Sequence, residues 1–378
     1  MSAMKSVFAI PCVALLLAGL AVGEGDNNGD GFERALPGRA WSFPADHGSH
    51  PGTRTEWWYL TGPLFAEDGR VFGFQATWFR RALVATQPPG RSPLATRDVL
   101  LFHGALTDVR AQTLLFTEEA CRAYAPWARA AEGGLDLALL SHVWTAPAGE
   151  LSATRLSFGA GAARVELVLD LDGAPPLLHG EEPGLSVKGH APGEASHYAS
   201  FTRLPVAGSV QLPDGESVAV SGQAWFDHEF GSSQLSGDQV GWDWFSVALD
   251  DGSDLMVYHL RLADGSADST SSGTLRRPDG SRRHLRREDF RLEPTAHWTS
   301  PETGTRYPSA WLLSLPGEEL ELRVEPVLPD QELRTPGSTG VTYWEGLCRF
   351  RGIRAGRPVL GWGYVELVGY DGAFRERL

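Results

Sequence analysis

Five Asp-Gly turns constrain this chain more than any other feature. "EDGR" (67–70), "PDGE" (213–216), "DDGS" (250–253), "ADGS" (263–266) and "PDGS" (278–281) each punctuate the text where a tight hairpin needs a residue at positive φ. Between such punctuation marks lie runs that alternate or are continuously apolar: "RVFGFQATWFRR", "ARVELVLDLDG", "ESVAVSGQAWFDHEF", "WDWFSVALDDGSDLMVYHLRLADG" and "LELRVEP". Long helical periodicity is missing, and "TEEACRAYAPWARAAEGG" (117–134) is the best short helix candidate. With 44 glycines and 25 prolines in 378 residues, the pattern predicts an all-β chain of sandwiches or barrels. The length and 42% hydrophobic content allow one large core or two ordinary ones.

The formal net charge of −14 repels nucleic acid and anionic membrane surfaces, so neither is expected as a partner. The arginine-rich "LRRPDGSRRHLRRED" (275–289) reads as the rim of a hairpin. At the N-terminus, Lys5, an apolar run to Val22 and the small residues Ala21 and Gly23 predict a cleavable signal peptide over residues 1–23. A polar, Gly-rich leader (24–40) follows, and no later stretch could span a bilayer. The expected location is secreted or periplasmic. Cys12 falls in the signal, leaving Cys121 and Cys348, which are expected to be free and buried rather than bridged.

The usual hydrolase, metal and nucleotide signatures are missing: no G-x-S-x-G elbow, no H-E-x-x-H and no phosphate-binding glycine loop. The leader imitates half an EF-hand loop at Asp26, Asn28 and Asp30, but its closing acid would fall on Pro37. His47 and His50 in "DHGSH" are ordinary loop histidines. No metal and no cofactor is expected. What remains is "GQAWFDHEFGSSQ" (222–234), which sets Asp227, His228 and Glu229 among Trp225, Phe226 and Phe230. In an extended strand Gln223, Trp225, Asp227 and Glu229 share one face, and Ala224, Phe226, His228 and Phe230 the other. Burial and a like-charged neighbour both hold a carboxyl proton on, which makes a general acid. If instead that face is wet, the carboxylates are paired with arginines. Further aromatic clusters lie at "TRTEWWYLTG" (Trp57, Trp58), "GHAPGEASHYASFTR" (His190, His197, Tyr198) and "GWDWF" (Trp242, Trp244). Tryptophan and tyrosine can wall an apolar pocket and stabilise a cation, or fill a barrel core.

"HPGTRTEWWYLTGPL", "HYASFTRLPVAGSV", "VSGQAWFDHEFGSSQ", "GWDWFSVALDDGSDLMVYHLR", "TYWEGLCRFRG" and "GWGYVELVGY" resemble the AttH-like family, which belongs with carotenoid 1,2-hydratases in a lipocalin-like superfamily. The resemblance runs from about Trp41 to the C-terminus. It implies two lipocalin-like antiparallel barrels packed together, placed here at 41–222 and 223–378. In the hydratases an Asp, two residues after a Tyr, is the proton donor, with a His and a Trp upstream. By resemblance the Asp falls on Asp227 and the His on His197, while the Tyr position holds Trp225 and the Trp position Ala199. Two of four match, so acid chemistry is expected on an apolar molecule other than a carotenoid. The twin-barrel architecture also resembles fungal Diels–Alderases, which mainly hold a substrate in shape.

The expectation is therefore an exported protein that binds a hydrophobic, isoprenoid or acyl-like molecule. Asp227, His197 and Glu229 are the candidate catalytic residues of a hydratase or hydrolase. Trp225, Tyr198, His228, Trp57, Trp58, Trp242 and Trp244 are candidates for the ligand's walls. The alternative is a non-catalytic carrier of the lipocalin kind, with one small ligand inside a barrel. An ionised, arginine-paired Asp227 favours the carrier, and a protonated one the enzyme.

Overall fold

The computed structural model describes residues 30–374 apart from 89–91, 93–94 and 234. The expected signal peptide lies outside the described residues. The described part of the leader is tied to the body rather than loose. Glu33 N–H donates to the Gly52 carbonyl, Arg54 pairs with Asp30, and Ala35 is buried.

The chain is all-β in two antiparallel sheets. The first, of 13 strands, curls into a nearly closed barrel, and the second, of 10, into a half-barrel, as a two-barrel lipocalin-like fold requires. At the centre of the first sheet Thr55–Phe65 pairs with both Val71–Ala82 and Ser217–Gly231, and the latter pairs in turn with Ala195–Gln211. At the centre of the second, Arg357–Val368 lies between Gln239–Leu249 and Thr342–Arg354. The Asp-Gly turns behave as their chemistry dictates: Gly69, at φ 83°, closes the hairpin between Thr55–Phe65 and Val71–Ala82.

Two sequence expectations need correction. Ser217–Gly231 pairs along its whole length within the first sheet, so the chain changes sheets between Gly231 and Gln239; the boundary placed after residue 222 cuts a strand. The helix candidate is extended instead. Its first part lies in Thr113–Arg122, which pairs residue for residue with Asp98–Asp108, and Ala128–Ala130 forms a further short strand. Ladder hydrogen bonds offered by a neighbouring strand override a weak helical preference, and Pro126 could not continue a helix.

The strand period of two sorts side chains into three layers. Trp58, Trp78, Trp144, Phe74, Phe102 and Phe226 fill the inside of the first barrel. Phe245, Trp311, Trp344 and Phe350 fill the second. Each such ring removes roughly 150–250 Å² from water, worth on the order of 4–6 kcal/mol before entropy is charged against it. The lumens are thus occupied by the protein's own rings. A third cluster, with Tyr59, Tyr198, Trp225, Trp244 and Tyr258, lies between the barrels, on the outward faces of their central strands. The arginine hairpin clasps the two halves: Arg282 donates to the Leu178 carbonyl (2.9 Å) and Arg286 pairs with Glu181 (2.9 Å), while Arg277 and Arg283 hold Glu318. Cys121 and Cys348 form no disulfide, with each other or with any described residue. Cys121 is half-buried, and Cys348 sits in the second core with its thiol pKa raised by burial.

Candidate active site

Between the barrels lies a cavity of about 200 Å³ whose wall takes residues from both sheets. Asp227 reaches it from Ser217–Gly231 and is almost fully buried. Three donors hold its carboxyl. Tyr198 O–H donates to Oδ2 (2.6 Å), Trp225 Nε1–H donates to Oδ1 (2.6 Å), and Ser200 O–H also donates to Oδ1. Tyr198 and Ser200 come from the same face of Ala195–Gln211, the neighbouring strand. Two further contacts fix those donors. Trp244 of the second sheet donates from Nε1 to the Tyr198 oxygen (3.1 Å), and His179 Nε2 lies 2.5 Å from Ser200 Oγ with Nδ1 2.8 Å from Thr274 Oγ1. Burial holds His179 well below its ordinary pKa, so it is neutral.

Burial is the largest influence on Asp227 and raises its pKa to about 7. The three hydrogen bonds pull the other way and nearby Glu229 adds to the rise. No ion pair reaches Asp227 among the described residues. The one ammonium close by, Lys188, is bound to Glu229 (3.1 Å), to which Ser196 also donates, and it sits over the Tyr258 ring. Asp227 is therefore a carboxylic acid poised to give up a proton near neutrality, in a cavity walled by Trp57, Trp242 and Trp244.

Of the residues singled out in the sequence, Asp227, Glu229, Tyr198, Trp57, Trp242 and Trp244 line this cavity, and Trp225 braces Asp227 from its edge. His197, His228 and Trp58 do not reach it. His197 alternates with Tyr198, so it points to the opposite face and packs on Trp41 and Phe230. His228 alternates with Asp227 in the same way and stacks on Trp58 inside the first barrel (4.9 Å). Sequence reasoning passed over Ser200, His179, Lys188, Tyr59, Glu345 and Glu366. Ser200 could have been found by applying to "HYASF" the face parity used on "AWFDHEF".

His228 instead joins a buried polar network at the end of the first barrel. Glu56 accepts from Arg80 Nε (2.9 Å), Ser49 Oγ (3.0 Å), His50 Nδ1 (2.7 Å) and His228 Nε2 (3.0 Å). His50, Glu56 and His228 bring their ligand atoms within 4.8 Å of one another, the geometry a cation would need. The Glu56 carboxylate is already saturated by these donors and an arginine, so the arrangement reads as an ion-paired plug rather than a metal centre.

A two-barrel, lipocalin-like protein with a buried acid between its barrels is the class that this fold and cavity define. Residues 34–370 match the AttH-like family, and the chain belongs to it. Among solved structures, a protein described as an AttH from Nitrosomonas europaea is similar at 34% identity with TM-score 0.79, over 90% of this chain and all of that one. Kievitone hydratase from Nectria haematococca shares the fold at 14% identity (TM-score 0.65; 90% of this chain, 97% of that one). CghA, solved with Sch210972, does so at 15% (TM-score 0.51; 91% and 98%). No curated protein matches.

Proposed function

We propose that this protein adds water across a carbon–carbon double bond of an apolar small molecule, with Asp227 as the proton donor. The observation that carries this reading is the carboxyl itself: buried, free of any ion pair among the described residues, aimed into an aromatic-walled cavity and holding its proton up to about pH 7. A carrier whose ligand occupied the same cavity would have no use for such a group. Hydratase chemistry in a protein of the same fold supports the reaction class.

The proton passes from Asp227 to an alkene carbon. The cation left on the neighbouring carbon faces the rings of Trp57, Trp242 and Trp244. Water adds to it, and the proton that water sheds returns to the Asp227 carboxylate. One π bond breaks, one C–H and one C–O bond form, and the acid is regenerated. Tyr198, Ser200 and Trp225 stabilise the carboxylate in between.

Native mass spectrometry of protein from its own host should identify a co-purifying apolar ligand. Incubated with the protein in D₂O, that ligand should gain the mass of D₂O, with deuterium on carbon. A ligand recovered unchanged, without carbon-bound deuterium, would sink the reading. We also propose that the protein works outside the cytoplasm after losing residues 1–23. Intact mass should show the leader missing, and a full-length product would contradict it.

A further inference from the structure

The wall contributed by the second sheet carries two more acids, Glu345 and Glu366. They are direct cross-strand partners on neighbouring antiparallel strands, so both side chains project from one face into the cavity. Glu345 is only 3% exposed, and neither of its oxygens has a hydrogen-bond partner among the described residues. The Tyr59 hydroxyl, reaching over from the first sheet, lies near enough to pull the Glu345 pKa down against burial, yet forms no regular hydrogen bond among the described residues. Glu366 accepts one bond, from Trp242 Nε1 (2.8 Å). Arg80, Arg81 and Lys188 line the same cavity, but Arg80 is held by Glu56 and Asp98, Arg81 bonds to Thr55 and Lys188 is bound to Glu229. The groups that act on the pair are Tyr59, Tyr343, Tyr364, Asp227 and Glu229. None of them is a cation, and among the described residues neither glutamate is ion-paired. Two carboxyls set opposite each other in a largely buried wall, with no counter-ion among the described residues, work against the fold. Proteins keep such arrangements where a ligand completes them.

We propose that Glu345 and Glu366 form the cation-binding end of this cavity and receive a positive charge carried by the ligand. An organic cation supplies a counter-ion that the described residues do not, and the rings of Tyr59, Tyr343 and Trp242 line the cavity around it. The charge can be the carbocation that Asp227 generates or an ammonium already present on the ligand. The first source rests on the hydratase reading above; the site itself does not. When the cavity is empty, burial and the facing carboxyls hold protons on the pair, Glu345 well above the usual carboxylate range and Glu366 at about 7. A cation favours the ionised forms, so its entry expels a proton. Its affinity rises with pH through the range where Glu366 titrates.

Calorimetric titration of the whole protein with phenethylammonium, phenethyl alcohol and hydrocinnamate tests this without any turnover. The ammonium should bind about tenfold tighter than the alcohol, with hydrocinnamate weakest. Its apparent heat should differ between buffers of different ionisation enthalpy, reporting the released proton. Glu345→Gln and Glu366→Gln should each bring the ammonium down to the affinity of the alcohol. Unchanged binding of the alcohol shows that fold and cavity survive. Wild-type protein that binds alcohol and ammonium alike would overturn the proposal, and so would Gln variants that keep the preference. In Asp227→Asn the ammonium preference should persist; its loss would put the charge recognition on Asp227 and overturn the pair's role. Normal turnover in that variant would retire the hydratase reading and leave the cation site standing. The formula of the co-purifying ligand then separates the sources, since a neutral alkene requires the transient cation and an amine brings its charge ready-made.

Discussion

Asp227→Asn protein should fold, keep its ligand and turn it over about two to four orders of magnitude more slowly, the usual loss when a general acid is removed. Asn is nearly isosteric, and its oxygen can still accept from Trp225 and Ser200. What it cannot do is release a proton to carbon. Stability should separate this outcome from a structural one. Asp227 has a folded pKa raised from 3.8 to about 7, so the folded state holds a proton that the unfolded chain sheds. The wild-type protein therefore loses stability as pH climbs through that interval, and the Asn variant does not. Thermal unfolding at pH 8 should find the variant at least as stable as its parent, with the difference disappearing below pH 3.8. Wild-type turnover should fall above about pH 7 as the acid ionises. A folded Asp227→Asn protein with unchanged turnover removes Asp227 from the mechanism. One that unfolds makes the carboxyl a structural element.

How much of this was readable from the chain varies with the range of the interaction. The hairpins were legible because an Asp-Gly pair between apolar runs is a local signal with a local cause. So was the shared face of Trp225, Asp227 and Glu229, since alternation within one strand needs no partner. The same rule sets His228 opposite Asp227 and, applied to "HYASF" as well, separates His197 from Tyr198. Closeness in a motif is not closeness in space: His197, placed by resemblance, and His228 lie on the faces opposite the cavity-lining Tyr198 and Asp227. Glu345 and Glu366 were harder. "TYWEGLCRFRG" and "GWGYVELVGY" announce an acid among aromatic rings, yet only the register of Thr342–Arg354 against Arg357–Val368 sets the two carboxyls opposite each other. Nor could the sequence say where the cavity lies. The central strands are aromatic on both faces, and alternation does not reveal which face meets a lumen and which meets a second barrel.

The largest stability effect is expected at the other side of the same strands, at Glu56. Its carboxylate is fully buried and holds Arg80, which is itself 2% exposed. It also anchors His50 through both the ring and the backbone N–H (2.9 Å). Glu56→Gln leaves the Arg80 guanidinium in the protein interior with Asp98 as its remaining carboxylate (3.0 Å). Losing one partner of a buried pair typically costs about 3–5 kcal/mol, more than replacing both. Urea unfolding should show that loss as a lower midpoint, and Glu56→Gln/Arg80→Met should recover part of it. The pH profile provides an independent check. Glu56 is held well below its ordinary 4.5 by His228, His50 and Arg80 against burial, so its contribution is present above that pH and is lost as pH falls. His50 is raised above 6.5 by Asp46 and Glu56, again against burial, so its contribution is complete below 6.5 and is lost as pH rises through the raised value. The Glu56 and His50 contributions are thus both complete between pH 4.5 and 6.5, while His228, lowered by burial, contributes most toward the top of that window. Glu56→Gln should cost most stability in that window. A variant within about 0.5 kcal/mol of wild type, the range of ordinary surface changes, would show that the plug does not hold the barrel end together.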